Sequence, residues 1–329
     1  MLILLAAAWL LPVTFLEYRT LVFKTMPLDD YTTYVLYLAT NGAEGQIPGS
    51  PFKERILSII PAVGLFKMLP VISLTKAAGM PDWFMKASFA ISLLNSLSFL
   101  LAALIVYSVA ARLLDDKRIA FISSVFLLVC ANYLGMTGVD GVGVLVVALI
   151  VLFHANRNFK ALTATLLASP FINEKILIFA IGYLLLSALS NRKDTLVWVV
   201  SLAAFLGYVL VRKLYGDGNE DQLQVGHFSD ALLATLRWSA SVKGLYLNVF
   251  PVIVLLLPMC LFLYTRGAAE HSRVSPLACL LGVAALLCAA LASNVIYSVG
   301  RVVMYALPAV SIYVAMLFDS SASQTRNTT

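Results

Sequence analysis

Residues 28–61 read LDDYTTYVLYLATNGAEGQIPGSPFKERILSIIP. The carboxylate pair Asp29 and Asp30 opens this stretch. A Tyr-rich run follows, with Tyr31, Tyr34 and Tyr37 three residues apart, which places the rings on one helical face, as in a helix lying among lipid headgroups. A Gly/Pro-rich turn then leads to Lys53-Glu54-Arg55 and into a second apolar helix. On both sides the chain is almost wholly hydrophobic, so the stretch reads as a polar ledge between a first membrane span and all the later ones.

Composition points the same way. Of 329 residues, 61% are hydrophobic and 12% charged, against about 25% charged in a soluble domain. With a mean hydropathy of +0.91, this places the chain among polytopic membrane proteins. The net charge of +6 is not a nucleic-acid signal. The basic residues are scattered between apolar runs, as topology determinants and lipid phosphate contacts are. Cys130, Cys260, Cys279 and Cys288 all lie in apolar runs without CxxC spacing or a neighbouring His, and so read as packing residues. The N-terminal MLILLAAAWLL lacks a basic flank and reads as a span rather than a cleaved signal peptide.

Taken in order, the pattern predicts an all-α polytopic membrane protein of about ten spans, nine to eleven, with interfacial helices in the first long loop. The spans fall near residues 2–23, 86–113, 119–134, 141–155, two short runs meeting at Glu174-Lys175, 195–211, 245–265, 276–293 and 302–318. Residues 56–75 carry Pro61, Gly64, Lys67 and Pro70 and are expected to be interfacial or half-inserted. Residues 28–81 and 212–244 are the two long loops of a single transmembrane domain, 1–318. The polar tail 319–329 is expected to be disordered. Every short turn at 112–118, 156–160, 191–194 and 266–275 carries Lys or Arg, whereas the turns at 135–140 and 294–300 carry none. The total Lys/Arg count does not favour this orientation. The short-loop rule does, and it puts both long loops outside. No internal repeat is visible, which weighs against transporter folds built from repeats.

Few residues can carry chemistry. Asp29-Asp30 suits either a general base at a membrane surface or a helix N-cap, and a carboxylate pair can also hold a divalent cation. Lys53 and Arg55, with Glu54 between them, suit a phosphate headgroup or general attraction to anionic lipid. Glu174-Lys175 lies between two short apolar runs and reads as a functional acid and base or as a salt bridge near the surface. Arg301 opens the last span, as a phosphate contact or as a snorkelling cation. Asp140, in GVDGVG, reads more simply as a loop turn. The 212–244 loop holds Asp217, Glu220, Asp221, His227, Asp230, Arg237 and Trp238 without metal-ligand spacing, and reads equally as an acceptor-binding or lid element and as a plain connection. His154 and His271 receive no role. No P-loop, GxSxG, HExxH or dinucleotide fingerprint is present.

A first span, a long outer loop with acidic residues just after it, two interfacial helices and then many spans resemble the GT-C class of integral membrane glycosyltransferases. Ser50-Pro51-Phe52-Lys53-Glu54-Arg55-Ile56-Leu57 is similar to the Pro-Phe-x-x-Arg-x-Leu segment of bacterial members that use polyprenyl-phosphate sugars. Ser169-Pro170 with Glu174-Lys175, and Arg301 followed by Pro308, resemble further recurrent positions of that class. The architecture matches over most of the chain, the motifs over about twenty residues, and the large extracytoplasmic domain usual in the class has no counterpart here.

The resemblance implies a reaction. Asp29 or Asp30 would take the proton of an acceptor hydroxyl as it attacks the anomeric carbon of a polyprenyl-phosphate sugar, inverting the configuration. Lys53, Arg55, Lys175 and Arg301 would steady the leaving phosphate, with Glu54, Glu174 and Tyr31 in support. No cofactor is required by this scheme, although a divalent cation can be accommodated. The partners would be the lipid-linked donor, a glycan or lipid-linked acceptor and membrane lipid. The place would be a bacterial cytoplasmic membrane, with the site facing outward. The alternatives are a polysaccharide polymerase or ligase using lipid-linked sugars, whose important residues would lie in a late Arg-bearing loop, and a non-enzymatic flippase. The second would need charges deep in the spans, and the sequence offers few.

Overall fold

A computed structural model describes residues 30–47, 55–69, 82–114, 116–133, 140–215, 228–266, 275–292 and 299–326. Span one, Asp29, Lys53 and Glu54 lie outside these residues. Among the described residues the chain is almost wholly helical, with no strand. In chain order the helices are α1 (Asp30–Ala39), α2 (Ile56–Met68), α3 (Asp82–Leu113), α4 (Lys117–Tyr133), α5 (Asp140–Ala155), α6 (Phe159–Ala168), α7 (Glu174–Ser190), α8 (Arg192–Tyr215), α9 (Phe228–Ser239), α10 (Phe250–Arg266), α11 (Pro276–Ala292), α12 (Val299–Val303) and α13 (Leu307–Arg326). A 3-10 turn at Ser169–Phe171 links α6 to α7, and another at Met304–Ala306 joins α12 to α13. A π turn at Leu245–Val249 leads into α10.

Among the described residues four segments are long and apolar enough to cross a membrane: Asp82–Leu113, Arg192–Val211, Val242–Thr265 and Val299–Asp319. The protein is therefore read as an integral membrane protein. Ile56–Met68, Asp140–Ala155 and Pro276–Leu291 are apolar but shorter. The 13 residues of α2 make only about 20 Å of helix, and the 16 of α5 about 24 Å, against a hydrocarbon core of about 30 Å.

The last helical segment is the centre of the bundle. In its apolar window 83% of residues are buried, against 17% in that of α8, which therefore lies at the periphery facing lipid. Tyr305, Ile312 and Tyr313 are fully buried around this centre. The helices α3, α4, α5, α10 and α11 pack about it. Close approach comes from small side chains, since between helices in lipid there is little hydrophobic drive and packing must supply the attraction. On α3, Ala87, Ala90, Ala102, Ala103, Ser88, Ser92 and Ser96 are all buried. Ser124 of α4 donates to the Ala103 carbonyl oxygen at 2.7 Å. Trp198 of α8 donates from Nε1 to the Ile181 carbonyl oxygen of α7 at 2.9 Å.

Three expectations change. The rings of Tyr31 and Tyr34 do share a face, but they are buried against Ile59, Ala62, Ala87 and Ile91 of α2 and α3 rather than turned toward headgroups. The segment 212–244, read as one long polar loop, contains α9, whose Phe228–Ser239 run is amphipathic. The last helix continues through Asp319 to Arg326 instead of giving way to a disordered tail at 319, because each residue added to an existing helix costs less than starting one.

The α7–α11 contact gives a direct test. A Cβ on Gly182 would lie 2.5 Å from the Leu281 carbonyl oxygen, while Gly207 on the lipid-facing α8 has nothing within 4 Å. Gly182→Ala should lower the thermal unfolding midpoint in detergent, at an overpacking cost of about 1–3 kcal/mol, and Gly207→Ala should leave it unchanged or raised. Equal behaviour of the two variants would contradict this packing.

Candidate functional site

Helix starts from five parts of the chain meet at one end of the bundle. Tyr31 is the second residue of α1. Arg55 is the residue before α2. Asp140 and Glu174 are the first residues of α5 and α7, and Arg301 is the third of α12. A carboxylate in the first turn of a helix is favoured by the positive end of the helix dipole, so two acids are locally well placed before any partner arrives.

The first half of the site is Arg55 with Glu174. Arg55 donates from Nη2 to Glu174 Oε1 at 2.6 Å, from Nε to Oε2 at 3.2 Å, and from Nη1 to Tyr31 Oη at 2.8 Å. The pair is largely withdrawn from solvent, at 6% and 16% side-chain exposure. Burial alone works against the Arg55 charge, yet Glu174, then Tyr31, hold its pKa well above the ordinary arginine value. Burial pushes the Tyr31 hydroxyl up.

The second half is Asp140 with Arg301 and Tyr305. Asp140 is buried, accepts from Arg301 Nε through Oδ2, and accepts from Tyr305 Oη through Oδ1 at 2.7 Å. Tyr305 Oη in turn accepts from Asn173 Nδ2 at 2.7 Å. Asn173 also caps α7, its Oδ1 accepting from the Lys175 backbone N–H at 3.1 Å. Lys175 Nζ sits 5.6 Å from the centre of the Tyr305 ring, in cation–π range. Tyr305 and Asn173 thus join the two halves through neighbouring residues of α7.

Glycines allow the approach. A Cβ on Gly143 would overlap the Tyr305 ring, and one on Gly141 would lie 2.8 Å from Asn95 Cα. The Gly141 N–H donates to Asn95 Oδ1 at 3.0 Å, fixing the first turn of α5 against α3. Arg301 is held from the other side. Asn248 in the π turn accepts from the Val299 N–H at 3.0 Å, and Gly300 presses on Pro251 with space for no Cβ.

Charge balance decides what the cluster can attract. Among the described residues, Arg55, Lys175 and Arg301 face Glu174 and Asp140, three cations to two carboxylates. Arg55 and Arg301 each have a carboxylate, and Lys175 has no ion pair among the described residues. Arg301 remains one-third exposed, at 31%. Among the described residues no three His, Cys, Asp or Glu side chains converge as a metal shell would require.

Of the residues singled out in the sequence, Tyr31, Arg55, Glu174, Lys175 and Arg301 are brought together. Asp30 opens α1 one residue from Tyr31. One reading is corrected. Asp140 is not a loop turn, because glycines on either side of Val142 let the helix begin at the aspartate and pack at once. Glu174 forms a salt bridge, one of the two roles the sequence left open, and its partner is Arg55, 119 positions away. Asn95, Asn173 and Tyr305 were not singled out. Two of them left a trace: Asn173 stands before Glu-Lys as an N-cap does, and Tyr305 follows Arg301 by four, on the same helical face. No protein-family model, curated protein or solved structure matches the chain.

Removing one partner of a buried pair strands the other, at about 3–5 kcal/mol, whereas removing both leaves no unpaired charge. Arg55→Met and Glu174→Gln should each destabilise the protein by that order in denaturant titrations from mixed micelles. The double variant should recover much of the loss. Simple additivity of the two single effects would contradict a direct pair.

Proposed function

We propose that this protein is a membrane glycosyltransferase of GT-C-like architecture, moving a sugar from a polyprenyl-phosphate donor to a hydroxyl acceptor. The observation that carries the reading is the surplus cation. Among the described residues Lys175 has no carboxylate in ion-pair contact, in a cluster whose second arginine is partly open, and such a place suits a phosphate monoanion or diester. A lipid-linked donor fits a protein this apolar, because its chain stays in the bilayer while its phosphate reaches the helix ends.

In this reading the acceptor hydroxyl attacks the anomeric carbon from the face opposite the phosphate. The new C–O bond forms as the bond from the anomeric carbon to the phosphate oxygen breaks, the configuration inverts, and the polyprenyl phosphate leaves with the bonding pair. The hydroxyl proton passes to Asp29 or Asp30, at the start of the helix that delivers Tyr31. Lys175 and Arg301 take up the charge growing on the phosphate, with Lys53 of the preceding polar segment in reach by sequence. Arg55, whose donors are committed to Glu174 and Tyr31, holds the site together and adds positive potential. Asp140 is occupied by Arg301 and Tyr305 and serves better as their anchor than as a base. The finer layout belongs to the same proposal: about ten spans, with the site on the outer face of a bacterial cytoplasmic membrane.

The test uses full-length protein in nanodiscs with polyprenyl-phosphate hexoses and pentoses as donors. Asp29→Asn/Asp30→Asn should reduce transfer by roughly 10²–10⁴-fold, the usual weight of general-base catalysis, with insertion and donor binding preserved. Wild-type transfer rates in that double variant would overturn the assignment of the base.

A further inference from the structure

At the other end of the bundle, the first turns of α6 and α8 border a groove of about 770 Å³ lined by Arg157, Phe159, Asn191, Arg192, Lys193 and Leu196. Two asparagines shape it. Asn158 Oδ1 accepts from the Ala161 N–H at 3.2 Å, and Asn191 Oδ1 accepts from the Lys193 N–H at 3.0 Å, so both helices begin abruptly there. Arg157 adopts a left-handed backbone, with φ of 55°, at the turn out of α5. Arg157, Arg192 and Lys193 are exposed, and none has a carboxylate within ion-pair distance among the described residues. Three cations beside two helix N-termini favour an anion. The apolar side of the groove continues onto α8, where Leu196 and Val199 are exposed one helical turn apart.

A smaller cavity of about 220 Å³ shares Arg157, Phe159 and Asn191 with the groove and asks for the opposite charge. Asp194 lines it, 6% exposed, and its Oδ1 accepts no hydrogen bond among the described residues. His154 Nε2 lies 3.8 Å from that oxygen, and the other ring nitrogen meets Tyr183 Oη at 3.2 Å. Ser187 and Ser190 also line the cavity, and both donate their hydroxyl protons to carbonyls of their own helix. What these two serines offer a ligand is therefore lone pairs. The cavity is a place for a donor bearing positive charge, next to a groove for phosphate, at the edge of a lipid-facing helix.

We propose that groove and cavity together bind the headgroup of a membrane aminophospholipid. Its phosphodiester rests on Arg157, Arg192 and Lys193. Its primary ammonium, two carbons away, donates to Asp194. Its acyl chains lie along the exposed face of α8. An anionic lipid without an ammonium satisfies only the groove, and a trimethylammonium headgroup has no N–H to give Asp194.

Native mass spectrometry of the full chain, incubated with equal amounts of phosphatidylethanolamine, phosphatidylglycerol and phosphatidylcholine of one acyl composition, tests this. Wild type should retain phosphatidylethanolamine over the other two. Arg192→Ala/Lys193→Ala should reduce retention of all three by roughly tenfold, as expected for loss of charge-assisted contacts. Asp194→Asn should keep phospholipid binding and lose the preference. Retention of phosphatidylglycerol equal to or above phosphatidylethanolamine in wild type would overturn the proposal, and that ranking depends on no variant's folding. So would retention unchanged by the double substitution, or a preference that survives in Asp194→Asn. Inorganic phosphate and soluble phosphoethanolamine, added at millimolar concentration, should not displace the lipid. Full displacement would make this a site for soluble anions instead.

Discussion

The bidentate contact between Arg55 and Glu174 is the constraint on which the rest of the site depends. It joins the short helices that follow the first polar ledge to a hairpin in the middle of the chain. Neither group is affordable alone in an apolar bundle, since an unpaired buried charge costs several kcal/mol. Once they are paired, α2 must begin at the start of α7, and Tyr31 approaches because Nη1 of the guanidinium donates to its hydroxyl. The position of α1 follows from that last contact, and so does the placement of Asp30 beside the cluster.

The second pair, Asp140 with Arg301, repeats the logic at the centre of the bundle. Here a tyrosine and an asparagine carry the connection, and two glycines let the helix start approach. Each pair is neutral in itself. Lys175 is left over, steadied by an aromatic face instead of a carboxylate. In the proposed function this cation receives the donor phosphate, while the paired charges around it keep the site in shape. About 25 Å away along α5 and α7 lies a second polar zone of different character, where exposed cations stand beside the membrane and a buried aspartate waits behind them. One end is built from neutralised pairs with one charge to spare. The other is built from open charges.

Much of the architecture was legible because apolar runs and basic turns mark helices in lipid almost one by one. The boundaries of α3, α4, α5 and α11 fall within a few residues of those expected. The charged residues of the site were also legible, since an acid or a base among so many apolar neighbours stands out: Arg55, Glu174, Lys175 and Arg301 all reach the cluster. What the sequence hid was partnership. Nothing local says that Glu174 belongs to Arg55 rather than to its own neighbour. Asp140 looked like a turn because glycine usually signals one, while here glycine serves close packing. The Tyr face of α1 looked interfacial because its period does not reveal whether lipid or protein lies opposite. Tyr305 and Asn173 were invisible as site residues because an aromatic in a span and an asparagine at a helix start have ordinary uses.

The central claim is that Lys175 is the anion's seat. Binding of a polyprenyl monophosphate to the full-length protein in nanodiscs, followed by isothermal titration calorimetry, tests it without any need for the sugar or acceptor. Lys175→Met keeps an unbranched apolar stem, one atom shorter, and removes the ammonium with its charge and its donors. The account predicts a loss of roughly tenfold or more in affinity, the scale of one charge-assisted phosphate contact, with the fold intact. Unchanged affinity in a folded Lys175→Met protein would contradict it.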